Sequence, residues 1–263
     1  MDINIIIPTY KPGNYLYECL QAIDKQDIDL SLFKVTIVLN GSREPYYGQI
    51  KKWLSCFKFT SELLYSDIAS VSHARNIALD KSESLYISFL DDDDIISNNY
   101  LSSLVSGIQP NSIVVSNTYN FFNDLNLTKK DYLTFNEKFS SDNLVKYRKY
   151  LSNSCCKLIP RSLIGDTRFI LDLKRSEDAV FMFSLSNKIE KIISTDNNAI
   201  YYRRLRLNSA SRMKYRLFIE IRDALNIMTN FSKIYFGNIN KYSFLLYLTR
   251  LLAVIKRVLL TFR

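Results

Sequence analysis

Apolar residues come in short blocks along the first ninety positions, and stretches with helical spacing separate the blocks. Ile3-Asn4-Ile5-Ile6-Ile7 is a β-branched run closed by Pro8-Thr9, the make-up of a buried strand. From Asn14 the apolar positions Leu16, Leu20 and Ile23 fall on one helical face. Phe33 to Leu39 (FKVTIVL) predicts a second strand, ending at Asn40-Gly41-Ser42. A helix from about Tyr46 to Phe57, a short strand near Ser61 to Tyr65 and a helix over Ser72 to Ser82 follow, and then a strand, YISFL, over Tyr86 to Leu90. Further on the pattern predicts a strand near Ser112 to Ser116 and a polar, Asn-rich loop region to about residue 143. After it come an extended segment at Cys155 to Ile159, a helix over Glu177 to Leu185 and a strand over Ala199 to Arg204. From Lys214 onward the spacing is helical, and there is no internal repeat.

Strand, helix, strand, helix, strand is the alternation of an α/β protein with a doubly wound, mostly parallel sheet. Such sheets gather ligands at the carboxyl ends of their strands. Pro8-Thr9-Tyr10, Asn40-Gly41-Ser42 and Asp91 to Asp94 all fall at such ends, so topology alone predicts one site from three loops. The last of these is the most demanding, because four adjacent carboxylates raise one another's pKa unless something positive sits among them. A helix start accounts for one or two of them, since Asp caps helices and each acid in a first turn gains only about 0.3–1 kcal/mol. A divalent cation such as Mg²⁺ or Mn²⁺ accounts for more, held by one or two carboxylates together with substrate phosphates.

Composition narrows the chemistry. The only histidine is His73, which nearly excludes histidine-based zinc sites and Ser-His or Cys-His catalysis, and leaves carboxylate, lysine or tyrosine as a general base. Cys19, Cys56, Cys155 and Cys156 form no C-x-x-C pair, and the expectation is reduced, buried thiols in a cytoplasmic protein. Six glycines and five prolines leave no linker to divide 263 residues, and no signal peptide or spanning segment is apparent. The net charge of +9 is uneven: residues 200–263 hold 13 Lys/Arg against 2 Asp/Glu, while the rest is near neutral. A basic quarter on a neutral body predicts a polyanion-facing or membrane-facing tail.

Six segments, in order, resemble the family 2 inverting glycosyltransferases of the GT-A fold, of the bacterial capsule, O-antigen and lipopolysaccharide type. They are NIIIPTYK, VLNGS, SHARNIALD, FLDDDD, RSEDAVF and YYRRLRLNSASR, spanning about residues 3 to 212. The resemblance implies a GT-A domain over 1–212, with a nucleotide-binding half (1–95) and an acceptor half (96–212), and a helical tail over 213–263. It implies that Pro8, Thr9 and Tyr10 line the base pocket, the tyrosine stacking on uracil, and that Asn40 hydrogen-bonds the base, where Leu39-Asn40 departs from the family's acidic pair. Arg75 would reach the base or diphosphate, or pair with the aspartates. Asp91 and Asp92 would hold ribose and donor sugar, Asp93 would bind Mn²⁺ or Mg²⁺, and Asp94 would cap the following helix. Asp178 matches the family's general base, with Glu177 its neighbour; read without the family, Ser176, Glu177 and Asp178 cap a helix. Arg203, Arg204 and Ser209 either clamp diphosphate or are solvated.

The expected reaction is transfer of a hexose or N-acetylhexosamine from a nucleotide sugar, a UDP-sugar by preference, to a saccharide on a polyprenyl diphosphate carrier. A nucleotidyltransferase and an inactive nucleotide-binding scaffold are the rival readings. Residues 241–263 set basic side chains among large apolar ones, which suits an anionic membrane surface on the inner face of the cell membrane. The alternative is packing on the catalytic domain or on a second subunit of a homodimer; nucleic acid is not expected.

Overall fold

The computed structural model describes residues 2–206 and 217–261. The chain begins with β1 (Ile3–Thr9), α1 (Asn14–Asp24), β2 (Phe33–Asn40), α2 (Tyr46–Leu54), β3 (Thr60–Ser66), α3 (Val71–Lys81) and β4 (Tyr86–Phe89). It continues with β5 (Ile95–Ile96), α4 (Tyr100–Ser106), β6 (Ser112–Val115), β7 (Asn117–Phe121), β8 (Lys129–Lys130) and β9 (Ser140–Ser141). Then come β10 (Lys157–Pro160), α5 (Arg161–Ile164), α6 (Glu177–Leu185), β11 (Lys191–Ser194), β12 (Ile200–Arg204), α7 (Leu217–Gly237) and α8 (Phe244–Thr261).

One eight-stranded sheet, ordered β3-β2-β1-β4-β10-β6-β11-β9, runs through both halves. β3, β2, β1, β4, β6 and β11 share one direction, and β10 and β9 oppose them. The strands of the first half are apolar on both faces because helices cover both, as a parallel sheet requires; every residue of β1 is buried. The one polar side chain within β1's apolar run, Asn4, is satisfied: it donates to Ser82 Oγ at 3.0 Å and accepts from Thr36 Oγ1 at 2.8 Å. A smaller sheet, β5-β12-β7-β8, flanks the aspartates.

Three sequence expectations need correction. Pro8 does not close the first strand but lies within it, paired with Val38. The region to residue 143 is not loop alone, since it holds β7, β8 and β9. Cys56 is exposed, whereas Cys19, Cys155 and Cys156 are buried; all four are free thiols.

The tail packs on the domain through one face. Phe183 of α6 meets Phe231 at 5.3 Å and Tyr242 at 5.4 Å, and Tyr235 stacks on Tyr247 at 4.5 Å. Among the described residues no helix is long and apolar enough to cross a membrane.

Candidate active site

Because β1, β2 and β4 run in parallel side by side, they end along one edge of the sheet. Thr9-Tyr10, Asn40-Gly41 and Asp91 to Asp94 are therefore brought together there. β10 runs the other way, so its beginning, Asn153 to Lys157, lies at the same edge. The end of β12 crosses to the aspartates from the smaller sheet.

Arg75 ties the two sides of the site. It is carried on α3, whose N-cap Ser70 Oγ accepts from the His73 N–H at 3.3 Å, and it is 2% exposed. Its Nη2 donates to Asp91 Oδ1 at 3.1 Å and its Nη1 to Asp178 Oδ1 at 2.9 Å, with Glu177 Oε1 at 3.8 Å. Below it lie the rings of Phe169, 5.2 Å from the guanidinium, and Phe89, 5.8 Å away, while Phe169 stacks on Phe181 at 4.0 Å. Burial opposes the charge, but the carboxylates, Asp178 foremost, hold the guanidinium protonated beyond the ordinary arginine range.

The four aspartates face four different donors, so no single cation explains the run. Asp91 pairs with Arg75, Asp92 accepts from the Thr9 hydroxyl, and Asp93 Oδ2 lies 2.5 Å from Arg206 Nε. Asp94 accepts from the Arg204 N–H at 2.7 Å and is 2% exposed. Asp94 is thus not a helix cap, as the sequence suggested; α4 starts at Tyr100 after Asn99, and Asp94 instead docks β12. Burial pushes Asp92 up to about 7 against the Thr9 hydroxyl, and burial with the Asp91 charge also raises Asp93 and Asp94. Among the described residues no group of three or more His, Cys, Asp or Glu is placed to hold a metal. A hard divalent ion bound here would therefore take one carboxylate at most and its other ligands from outside the protein, rather than sit in an all-protein cage.

Asp178 stands in the first turn of α6. Its Oδ1 accepts from Arg75 and, at 2.6 Å, from Ser154 Oγ; Oδ2 has no hydrogen bond among the described residues. Glu177 beside it is raised to about 7, first by burial and then by the Asp178 charge, with Arg75 opposing. Ser176 precedes them with φ 60 and makes no side-chain cap, so it is Glu177 and Asp178 that supply negative charge to the helix start.

At the other end of the site Tyr10 is half exposed, its ring lying against Gly41. Asn40 is buried, and its Nδ2 donates to the Thr9 carbonyl at 2.7 Å, which leaves Oδ1 and the second amide hydrogen to meet a base. Arg203 and Arg204 are not solvated. Arg203 pairs with Asp131 at 2.8 Å, and Arg204 lies between the Tyr15 and Phe121 rings and pairs with Glu18. The cation that reaches Asp93 is Arg206, which sequence reading passed over. The available signal was alternation past β12: Arg204 and Arg206 are two residues apart and share a face. Ser154 carried no signal of its own. Ser209 lies outside the described residues.

Residues 4–167 match the family model described as glycosyl transferase family 2. The poly(ribitol-phosphate) β-N-acetylglucosaminyltransferase TarS of Staphylococcus aureus is 24% identical over 205 residues, 77% of this chain and 35% of TarS. The minor teichoic acid biosynthesis protein GgaB of Bacillus subtilis is 25% identical over 81% of this chain and 24% of its own length. The chain thus spans about a third or less of the length of these relatives. Glycosyltransferase GlyG of Streptococcus pneumoniae is 24% identical over 82% of this chain and 74% of its own. The fold is that of the crystal structure of S. aureus TarS 1–349 in complex with UDP-GlcNAc, with TM-score 0.70, 18% identity, and 99% of this chain and 81% of that one covered. The mannosyltransferase PcManGT of Pyrobaculum calidifontis, in complex with GDP-Man and Mn²⁺, aligns with TM-score 0.61 and 14% identity over 98% of this chain and 75% of its own. With a match that takes in well over half of its residues, and with a GT-A architecture around an acidic strand end, the chain belongs to glycosyl transferase family 2.

Proposed function

We propose that this chain transfers a hexose or N-acetylhexosamine from a UDP-sugar to a saccharide acceptor, with inversion and with a divalent metal, in the assembly of a cell-surface glycan. The observation that carries the reading is Arg75, one buried guanidinium that binds both the acidic strand end, through Asp91, and the first turn of α6, through Asp178. It sets a donor side and a base side on either side of one guanidinium. Inversion requires a single displacement, in which the acceptor hydroxyl loses a proton as it attacks. Asp178 Oδ2 is the open carboxylate oxygen for that proton. Pro8, Thr9 and Tyr10 shape the base pocket, Asn40 offers Oδ1 to the base, and Asp91 and Asp92 face the ribose and sugar. Asp93 would hold the metal, which when bound stabilises the departing diphosphate as a Lewis acid. Arg206, already on Asp93, supplies a second cation beside the diphosphate.

The choice of UDP and of an N-acetylhexosamine is supported by the TarS complex with UDP-GlcNAc, and that of a metal by the PcManGT complex with Mn²⁺. Relatives named for teichoic acid and poly(ribitol-phosphate) work support a polymeric or lipid-linked surface acceptor. The test is calorimetric titration of UDP with and without Mn²⁺, on the wild type and on Asp93→Ala. Binding that needs both metal and Asp93 is expected, and metal-independent binding that survives the substitution removes the metal assignment. Loss of donor hydrolysis or transfer in Asp178→Asn, with UDP binding kept, is expected of the base. Equal turnover in wild type and variant refutes the base assignment, whereas no turnover in either leaves the scaffold or nucleotidyltransferase readings.

A further inference from the structure

Lys157 opens β10 and is 1% exposed. Its Nζ makes three hydrogen bonds of 2.7 Å each, to Asn153 O, Asn153 Oδ1 and Cys155 O. An ammonium has three donors and no acceptor, so its capacity is full. Burial draws it down to about 8, and no carboxylate pairs with it among the described residues. A lysine buried without a carboxylate needs its geometry to hold it there, since an ion taken from water must recover its hydration in hydrogen bonds.

What those bonds enclose is Ser154. Its neighbours on either side are pinned by one ammonium, it is fully buried, and its Oγ donates to Asp178 Oδ1 at 2.6 Å. The turn is further fixed to the donor side by a bridge between Cys155 and Phe89 of β4, and it leaves through Cys156 at φ 64. A left-handed conformation is strained for a residue with a side chain, so the clamp holds a turn that would otherwise relax. Oδ1 of Asp178 thereby takes one bond from Ser154 on the β10 side and one from Arg75 on the α3 side. With Ser154 withdrawn, the carboxylate is free to swing both oxygens onto the guanidinium, the bidentate arrangement that Arg and carboxylate favour.

We propose that Lys157 is a positioning residue for the Asp178 carboxylate: by clamping the Asn153–Cys155 turn it keeps the Ser154 hydroxyl on Oδ1 and so keeps Oδ2 turned toward the incoming hydroxyl. This rests on the reading of Asp178 as the base.

The experiment compares Lys157→Met, Ser154→Ala, Ser154→Thr, the Lys157→Met/Ser154→Ala double variant and Asp178→Asn. UDP-GlcNAc hydrolysis and UDP affinity are measured with Mn²⁺, and the crystal structure of Lys157→Met is determined. Lys157→Met and Ser154→Ala are each expected to lower kcat about tenfold while KM and UDP affinity stay within about twofold, the signature of a lost transition-state interaction. The double variant should be no worse than the poorer single, because both act through one hydroxyl. Ser154→Thr, which keeps that hydroxyl, should recover most of the rate. The crystal structure should show Asp178 swung onto Arg75. Wild-type kcat in Ser154→Ala, losses that multiply in the double variant, or Ser154 still bonded to Oδ1 in Lys157→Met overturns the proposal. If Lys157→Met does not fold, the Ser154 variants decide. If Asp178→Asn turns over like wild type, it is the base assignment that fails, and this proposal falls with it; loss in Asp178→Asn beside wild-type rates in the other variants refutes the positioning role alone.

Discussion

A guanidinium in reach of three carboxylates holds them together only while it is there. In Arg75→Met, Asp91, Glu177 and Asp178 would face one another over an apolar side chain on the Phe89–Phe169 floor. Removing one partner of a buried ion pair costs about 3–5 kcal/mol, so denaturant unfolding should show a loss of that size. A loss under about 1 kcal/mol would mean that the carboxylates are already hydrated. Glu177 works in the other direction. Its carboxyl is raised to about 7, so between its unfolded value near 4.5 and about 7 the folded chain binds more protons than the unfolded one, and stability falls as pH rises through that window. Glu177→Gln should therefore match wild type in unfolding free energy at pH 4 and exceed it at pH 8, by an amount on the order of 1 kcal/mol per unit of displacement. A constant difference across pH would remove burial as the cause. At this scale the sequence was legible for residue type and not for partner. The run from Asp91 stood out by itself and Asp178 only through the family resemblance, while Lys157 gave no signal, because two of its three acceptors are main-chain oxygens that only the folded turn presents.

Elements were more legible than contacts. The periodicity placed α6 at its observed limits and the strands of the first half within a residue or two, since each is set by a local apolar run. β7, β8 and β9 were hidden in a polar region because two residues of strand, such as Lys129–Lys130, exist only by pairing with a distant partner. The turn after β2 shows how an element shapes the site. Gly41 has φ +87, and a Cβ there would lie 2.7 Å from the Tyr10 ring. Gly41→Ala should thus cost about 1–2 kcal/mol for the backbone alone, and should also displace Tyr10. The expected result is UDP affinity weakened about tenfold in calorimetry, beyond what Tyr10→Phe gives. Unchanged affinity would show that the Tyr10 ring does not contact the base.

The whole molecule joins its tail to its chemistry. Glu220 of α7 pairs with Arg175, and Arg257 of α8 donates to Ser176 Oγ at 3.2 Å, so the hairpin braces the residues leading into the Asp178 helix. Arg250 is likewise turned inward, onto Ser152 and the Arg148 carbonyl. Two of the basic residues that made the tail look membrane-facing are therefore engaged inside the protein, and Lys241 and Lys256 remain exposed in 241–261. What the outer face of α8 does present is Leu245, Leu248, Leu252, Ile255 and Leu259, all exposed and spaced three and four apart. Two lysines near an anionic surface contribute about 1 kcal/mol each, whereas each leucine fully buried contributes about 1.5–3 kcal/mol. If this face meets lipid, burial dominates. Vesicles rich in phosphatidylglycerol should then bind the chain with little loss between 0.1 and about 0.5 M salt, where the screening length shortens about twofold, and Leu252→Glu with Ile255→Glu should abolish binding. Strong release by salt would return the weight to the lysines. Vesicle binding that the substitutions leave intact, with a dimer in gel filtration that they split, would make the stripe a contact between two copies: its spacing of three and four is also that of a helix seam.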